Sequence, residues 1–186
     1  MTDSNQRRGA DVALGWWQRL TRRDGPNLGQ RRAALARIRR AATPVEVMQE
    51  PEALRLIERL PRNPDRVAQL AGVLAFVRET DERNVARSIG RPTLDDDERA
   101  LVSEGRFRRL LQTQNDEIME AMRRLVRMAK GKLNVHDLSS SILDWGDGYR
   151  GDRVKRRWIF DYYHVLESIG PDERTRAPSP RTHHQE

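Results

Sequence analysis

The sequence predicts an all-α protein made of two small packed helical bundles, and three observations predict it. No segment sustains the period-two alternation of a half-buried strand. Apolar residues instead recur every three or four positions along most of the chain. Helix-start chemistry, a polar residue followed by proline at the first helical position, appears at Thr43-Pro44, Glu50-Pro51 and Asn63-Pro64.

The elements follow in order. Residues 1–9 are polar and expected to be disordered; bundles are expected over 10–92 and 93–170. Val12, Trp16 and Leu20 form one stripe of a first helix over Asp11 to Leu20, which TRRDGPNLG breaks. A second helix is predicted from Leu28 to Ala42, with Leu28, Leu35 and Ile38 inward. Thr43-Pro44-Val45-Glu46 reads as a capping box, the hydroxyl accepting from the Glu46 amide while the carboxylate reaches back. Glu50-Pro51 and Asn63-Pro64 open two more helices, the latter with a core stripe of Val67, Leu70, Ala71, Leu74 and Val77. From Ala86 to Glu98 periodicity fails; Gly90, Pro92 and the acidic run Asp95 to Glu98 predict a loop and the boundary between bundles.

Beyond it, Ser103 opens a short helix with Phe107, Leu110 and Leu111 inward. Asn115 is the expected cap of a longer helix carrying Ile118, Met122, Leu125, Val126 and Ala129, ended by Gly131. Asn134 caps the next, with Leu138, Ile142 and Trp145 on one face. Asp152 is the expected cap of the last, where Val154, Trp158, Tyr162, Val165 and Ile169 face inward before Gly170-Pro171. The tail 171–186 has Pro, Ser and charge without periodicity, and is expected to be disordered.

Composition narrows the function. The 186 residues carry a net charge of +7 and a pI near 10.6, in the range of nucleic-acid-binding domains. Cysteine is absent, which excludes disulfides, thiolate metal sites and a Cys nucleophile. No stretch approaches the roughly 20 apolar residues of a membrane span, and MTDSNQRRGAD lacks the apolar run of a secretory signal. A cytoplasmic protein without membrane association is expected. The four histidines show no metal-ligand spacing, and the Walker, HExxH and GxSxG patterns are missing. The chain is therefore read as non-enzymatic, without cofactor or metal.

The basic residues carry the main signal. Arg31, Arg32, Arg37, Arg39 and Arg40 lie on the second helix with no acid between them, so like charges repel and an anionic partner is called for. Arg106, Arg108 and Arg109 follow on the short helix, then Arg123, Arg124, Arg127, Lys130 and Lys132. Positions 123, 127 and 130 are predicted to form a solvent-facing basic stripe, with Asp116, Glu117 and Glu120 confined to that helix's start. Such a stripe suits regularly spaced phosphates rather than base edges, so little sequence preference is expected. A third run, Arg150 to Arg157, has Asp152 and Asp161 as possible partners. The tryptophans fall on or beside apolar stripes and are assigned to the core rather than to base stacking.

Read in order, ALGWWQRL, RRAALARIRRAATPVE, ERNVARSIGRP, EGRFRRLL, EAMRRLVRMAKGKLNVHDLSSSILDW and KRRWIFDYYHVL resemble the CasB family. That family is the small subunit of the type I-E CRISPR surveillance complex, Cascade, and the resemblance spans about residues 10 to 169. It implies two helical bundles and a non-catalytic subunit present as a head-to-tail pair. It also implies contacts with other Cascade subunits, guide RNA and target DNA, and a role in holding the R-loop open. By position it implies nucleic-acid contacts at Arg37, Arg39 and Arg40 in ARIRR, Arg106 and Arg109 in GRFRRLL, and Arg123 and Arg124 in AMRRLV. Arg127, Lys130 and Lys132 extend that surface by helical geometry. The competing reading is a free-standing helix-turn-helix regulator, with Gly131-Lys132-Leu133 as its turn; a third is a structural adaptor whose charge serves solubility.

Overall fold

The computed structural model describes residues 2–90 and 100–165, with side chains from Arg7 onward. The acidic run Asp95 to Glu98, Ile169, the Gly170-Pro171 stop and the tail lie outside the described residues. Ten helices are described: α1 Thr2–Thr21, α2 Leu28–Arg40, α3 Pro44–Met48, α4 Pro51–Arg59, α5 Pro64–Leu74, α6 Val85–Ile89, α7 Glu104–Leu111, α8 Ile118–Met128, α9 Val135–Asp144 and α10 Gly148–Tyr162. The fold is all-α; the β-type pairing among the described residues is one isolated parallel bridge, Glu79 with Lys132.

Local chemistry starts several helices where the sequence places them. Thr43 Oγ1 accepts from the Glu46 amide at 3.2 Å, and the Glu46 carboxylate accepts from the Ala42 amide at 2.7 Å, one residue outside a standard capping box. Asn63 Oδ1 accepts from the amides of Asp65 and Arg66, and Asn134 Oδ1 from that of Asp137. Gly131, at φ 82°, takes the left-handed turn after α8 that a side chain would strain.

Elsewhere tertiary contacts move the boundaries. Helix α1 begins at Thr2, well before Asp11, and Gly9 and Ala10 are already buried. Helix α6 takes up the start of the expected loop, with Val85, Ala86 and Ile89 fully buried. Its first amide is capped by Asp137 Oδ2 at 2.8 Å, a partner 52 residues away. Asn115 does not cap α8. Its side-chain oxygen accepts from Arg66 and its carbonyl from Gln69, and α8 starts after Glu117. Helix α10 starts a turn before Asp152 because Gly151 fits directly against the Gly146 backbone, where a Cβ would come within 2.7 Å of the Gly146 nitrogen.

Helix α5 is the buried axis. Every residue from Val67 to Leu74 is buried, and α2, α3, α4, α8 and α9 all pack on it. Helix α1 lies along α9, and α10 rests on α6 and α9, so the stretches before and after residues 91–99 share one hydrophobic core. Trp16 and Trp17 are both buried and point to different neighbours. The Trp16 indole donates to the Glu52 carbonyl (2.9 Å), that of Trp17 to the Val77 carbonyl (3.1 Å). Trp158 donates to Ser141 Oγ at 2.9 Å, and the Tyr162 hydroxyl to the Val102 carbonyl at 2.6 Å while its ring stacks on Phe107. The aromatics thus tie α1 to the α4 and α5 ends, and α10 to α9 and α7.

Candidate nucleic-acid interface

The C-termini of α2 and α5 leave carbonyls without intrahelical partners, and the fold answers them with arginine. Arg123 reaches from α8 and donates Nε to the Gly72 carbonyl (3.0 Å), Nη1 to Ala41 (2.7 Å) and Nη2 to Ile38 (3.1 Å). It is 4% exposed, and its guanidinium lies 5.1 Å from the centre of the Phe76 ring. Burial pulls its pKa below the ordinary arginine value. The expected stripe through 123, 127 and 130 is therefore corrected: Arg123 is an internal clamp with its donors engaged, and Lys130 lies past the end of α8, with φ 54°.

The second helix needs a similar correction. Arg31 is buried and donates to the carbonyls of Arg19 (3.0 Å) and Asp24 (2.5 Å). Arg37 Nε contacts both oxygens of Glu50 at 2.8 Å, and Arg39 Nε donates to the Ala75 carbonyl at 2.6 Å. Burial first, then the nearby positive charge of Arg78, pulls Arg39 below the ordinary arginine value. The compensation that α2 lacks internally comes from other elements. Arg40 stays exposed. Lys132 pairs with Glu79 at 2.8 Å, which raises its pKa.

Four of the remaining candidates converge. Arg106 and Arg109 on α7 face Arg124 and Arg127 on α8 across a groove of about 550 Å³. Val102, Leu110, Ala121, Leu125 and Met128 supply its apolar lining, and Thr113 a hydroxyl. The arginines come in two i, i+3 pairs, so each helix offers its cations along one edge. Arg127 is held by Glu120 at 2.8 Å and lies 5.5 Å from the Phe76 ring centre; Arg124 reaches the same Glu120 oxygen at 3.1 Å. Burial would raise the Glu120 carboxyl, but hydrogen bonds and charge from Arg124 and Arg127 outweigh it and hold the group below the ordinary glutamate range.

Among the described residues, Glu120 is thus the one acid bonded within this cluster, and its removal has an expected outcome. Exposed ion pairs are worth roughly 0–1 kcal/mol, so Glu120→Gln should leave stability nearly unchanged. Freed from their shared anion, Arg124 and Arg127 should bind a labelled oligonucleotide several-fold more tightly (about 3- to 10-fold) and with a steeper salt dependence. Fluorescence anisotropy at several salt concentrations reads both; affinity equal to or below that of the parent chain would count against the groove.

Sequence reasoning missed Arg78, which is exposed and acts electrostatically on Arg39. It follows α5 in a segment whose amides of Arg78 and Glu79 both donate to the Gly131 carbonyl. No local periodicity marks such a residue. Among the described residues, no three His, Asp or Glu side chains group as metal ligands, and no helix is long and apolar enough to cross a membrane.

The family model for CRISPR-associated protein Cse2 matches residues 34–163, which include α3 to α10 entire and every residue of the α7/α8 groove. No curated protein and no solved structure matches the chain.

Proposed function

This chain belongs to the CRISPR-associated Cse2 family, hence to a subunit of the Cascade complex, and from that premise we propose that its α7/α8 groove holds nucleic-acid backbone and stabilises the R-loop. The observation that carries the reading is the convergence of Arg106, Arg109, Arg124 and Arg127 on one apolar-floored cleft with, among the described residues, a single bonded acid between them. Guanidinium groups bind phosphate oxygens with charge-assisted hydrogen bonds, and each contact releases counterions. Among the described lining residues there is no Asn, Gln, Asp or Glu, and the arginines serve here as backbone contacts, with sequence left to pairing with the guide. The chain acts here as a non-catalytic subunit. Its partners are guide RNA, target DNA, the other Cascade subunits and a second copy of itself; its place is the cytoplasm.

The helix-turn-helix alternative fares poorly on geometry. Helix α9, which follows the Gly131 turn, would have to enter the major groove as the recognition helix. Every residue of α9 except His136 is buried within the protein, so it has no free face to present.

The test uses the assembled complex. Arg109→Glu combined with Arg127→Glu should shorten the lifetime of the R-loop by about 10-fold or more, since four units of charge change at the backbone contact. Assembly and thermal unfolding of the subunit should stay near those of the parent. An unchanged R-loop lifetime in a complex that contains the doubly substituted subunit would overturn the reading.

A further inference from the structure

Three helices end at one place. Arg39 Nε, on α2, donates to the carbonyl of Ala75 just past α5, and the amides of Arg78 and Glu79 donate to the Gly131 carbonyl just past α8. The segment Phe76 to Glu79 is thus where the C-termini of α2, α5 and α8 meet. Each end carries roughly half a negative charge, the three together roughly one and a half. The buried Arg123, bonded to carbonyls of α2 and α5, answers most of that. Four exposed cations stand at the same junction: Arg39 and Arg40 at the end of α2, Arg78, and Lys130 in the turn after α8. The Arg78 side chain lies over that turn, its Cγ 3.1 Å from where a Cβ on Gly131 would sit. Arg39 and Arg78 stand close enough to repel each other.

Neutralising helix ends does not call for four more cations, and the nearby acids do not balance them. Glu79 pairs with Lys132 at 2.8 Å, while Glu46 accepts from the Ala42 amide and acts electrostatically on Arg123. Among the described residues, none of Arg39, Arg40, Arg78 and Lys130 forms an ion pair with a carboxylate. The Ala75 carbonyl holds Arg39 in place without neutralising it. Like charges held together repel, and an anion laid across them relieves the repulsion. The junction is also continuous with the α7/α8 groove. The Arg127 guanidinium lines that groove and lies 5.5 Å from the centre of the half-buried Phe76 ring, two residues before Arg78. That continuity selects the anion: phosphates of a strand held in the groove can run on to the next cations with no change of chemistry.

We propose that the junction of the α2, α5 and α8 ends is a second phosphate-binding site, at which Arg40, Arg78 and Lys130, with Arg39 pinned among them, receive a nucleic-acid strand as it leaves the groove past Arg127. It rests on the reading that the groove holds nucleic-acid backbone, and adds a length requirement to it. A strand short enough to be held by the groove alone does not need the junction, whereas a longer one engages both. Length therefore separates the two sites.

The experiment measures labelled oligothymidines of about six and about 18 nucleotides on the full chain, by anisotropy at several salt concentrations. Arg40→Gln with Arg78→Gln should weaken the long strand about 10-fold and make its slope of log affinity against log salt shallower by about 1.4, the share of two contacts on a single strand. The short strand should bind within about 2-fold of the parent, and thermal unfolding should stay near the parent's because both side chains are exposed. Arg106→Gln with Arg109→Gln should instead weaken both lengths. A long strand that binds the Arg40/Arg78 variant as tightly as the parent overturns the junction and leaves the groove reading standing. An equal loss for both lengths overturns it too. So does a loss no larger than that from Arg23→Gln with Arg59→Gln, two exposed arginines before α2 and at the end of α4, since it reports net charge alone. If an oligoglutamate of equal charge binds the parent as tightly as the long strand and is weakened as much by the Arg40/Arg78 change, the occupant is an acidic protein segment and the proposal falls. If the groove pair changes neither length while the Arg40/Arg78 variant still loses the long strand, the groove reading fails and the junction stands as a site in its own right.

Discussion

Replacing Arg123 by Met should destabilise the protein by about 3–5 kcal/mol, the cost of leaving three buried acceptors without their donor. Met keeps much of the stem's volume but leaves the carbonyls of Ile38, Ala41 and Gly72 without their guanidinium donor. Each buried unsatisfied acceptor costs roughly 1–3 kcal/mol. The three carbonyls belong to the ends of two helices, so the substitution loosens α2, α5 and α8 together. At roughly 2–4 °C per kcal/mol for a chain of this size, the melting temperature should fall by about 10 °C. Arg123→Lys should recover only part of the loss, since one ammonium cannot span three carbonyls in a planar fork. A fall of less than about 1 kcal/mol in urea unfolding would show that the clamp contributes little. Any loss of nucleic-acid binding in an Arg123 variant then follows from unfolding and says nothing of phosphate contact.

The groove arginines should behave in the opposite way. Arg106→Gln with Arg109→Gln should leave unfolding almost unchanged, because both side chains are exposed. Binding to duplex DNA should fall about 10- to 100-fold near 0.1 M salt, and the slope of log affinity against log salt should become shallower by about 2. Arg59→Gln on α4, an exposed arginine outside the groove, changes net charge by one unit and controls for long-range attraction. A slope that moves no more for the groove pair than for two such outlying neutralisations would show that phosphates do not sit between α7 and α8.

Arg123 and Arg124 also show what the sequence can and cannot say. They are neighbours in AMRRLV, and nothing in the dipeptide separates them. On the helical wheel Arg123 lies about 60° from Val126 at the border of the apolar stripe, while Arg124 lies beyond its far edge. That border position permits burial but does not require it. What requires it is the arrival of two helix ends from residues 38–41 and 72, and such an arrival is written in tertiary packing alone. The same holds for Asp137, which caps α6 across 52 residues, and for Asn115, drawn away from α8 by Arg66 and Gln69.

Where a signal is local, it was legible. Asn63-Pro64, Asn134 and the Thr43 to Glu46 segment fix helix starts by chemistry within four residues. The α5 core stripe follows from periodicity. Arg106 and Arg109, and Arg124 and Arg127, were visible as basic residues at helical spacing. Their meeting across a common cleft was not, because no pattern within either helix encodes how α7 and α8 face each other. Arg37 and Arg39 were equally visible, yet Glu50 and the Ala75 carbonyl occupy them.

The four indoles have a spectroscopic consequence. Trp16, Trp17, Trp145 and Trp158 are all at most 6% exposed, and none lines the α7/α8 groove. Intrinsic emission should therefore be blue-shifted, shielded from aqueous quenchers, and silent to an oligonucleotide that settles between α7 and α8. It becomes a clean optical gauge of whether the interior is intact, independent of what the surface holds.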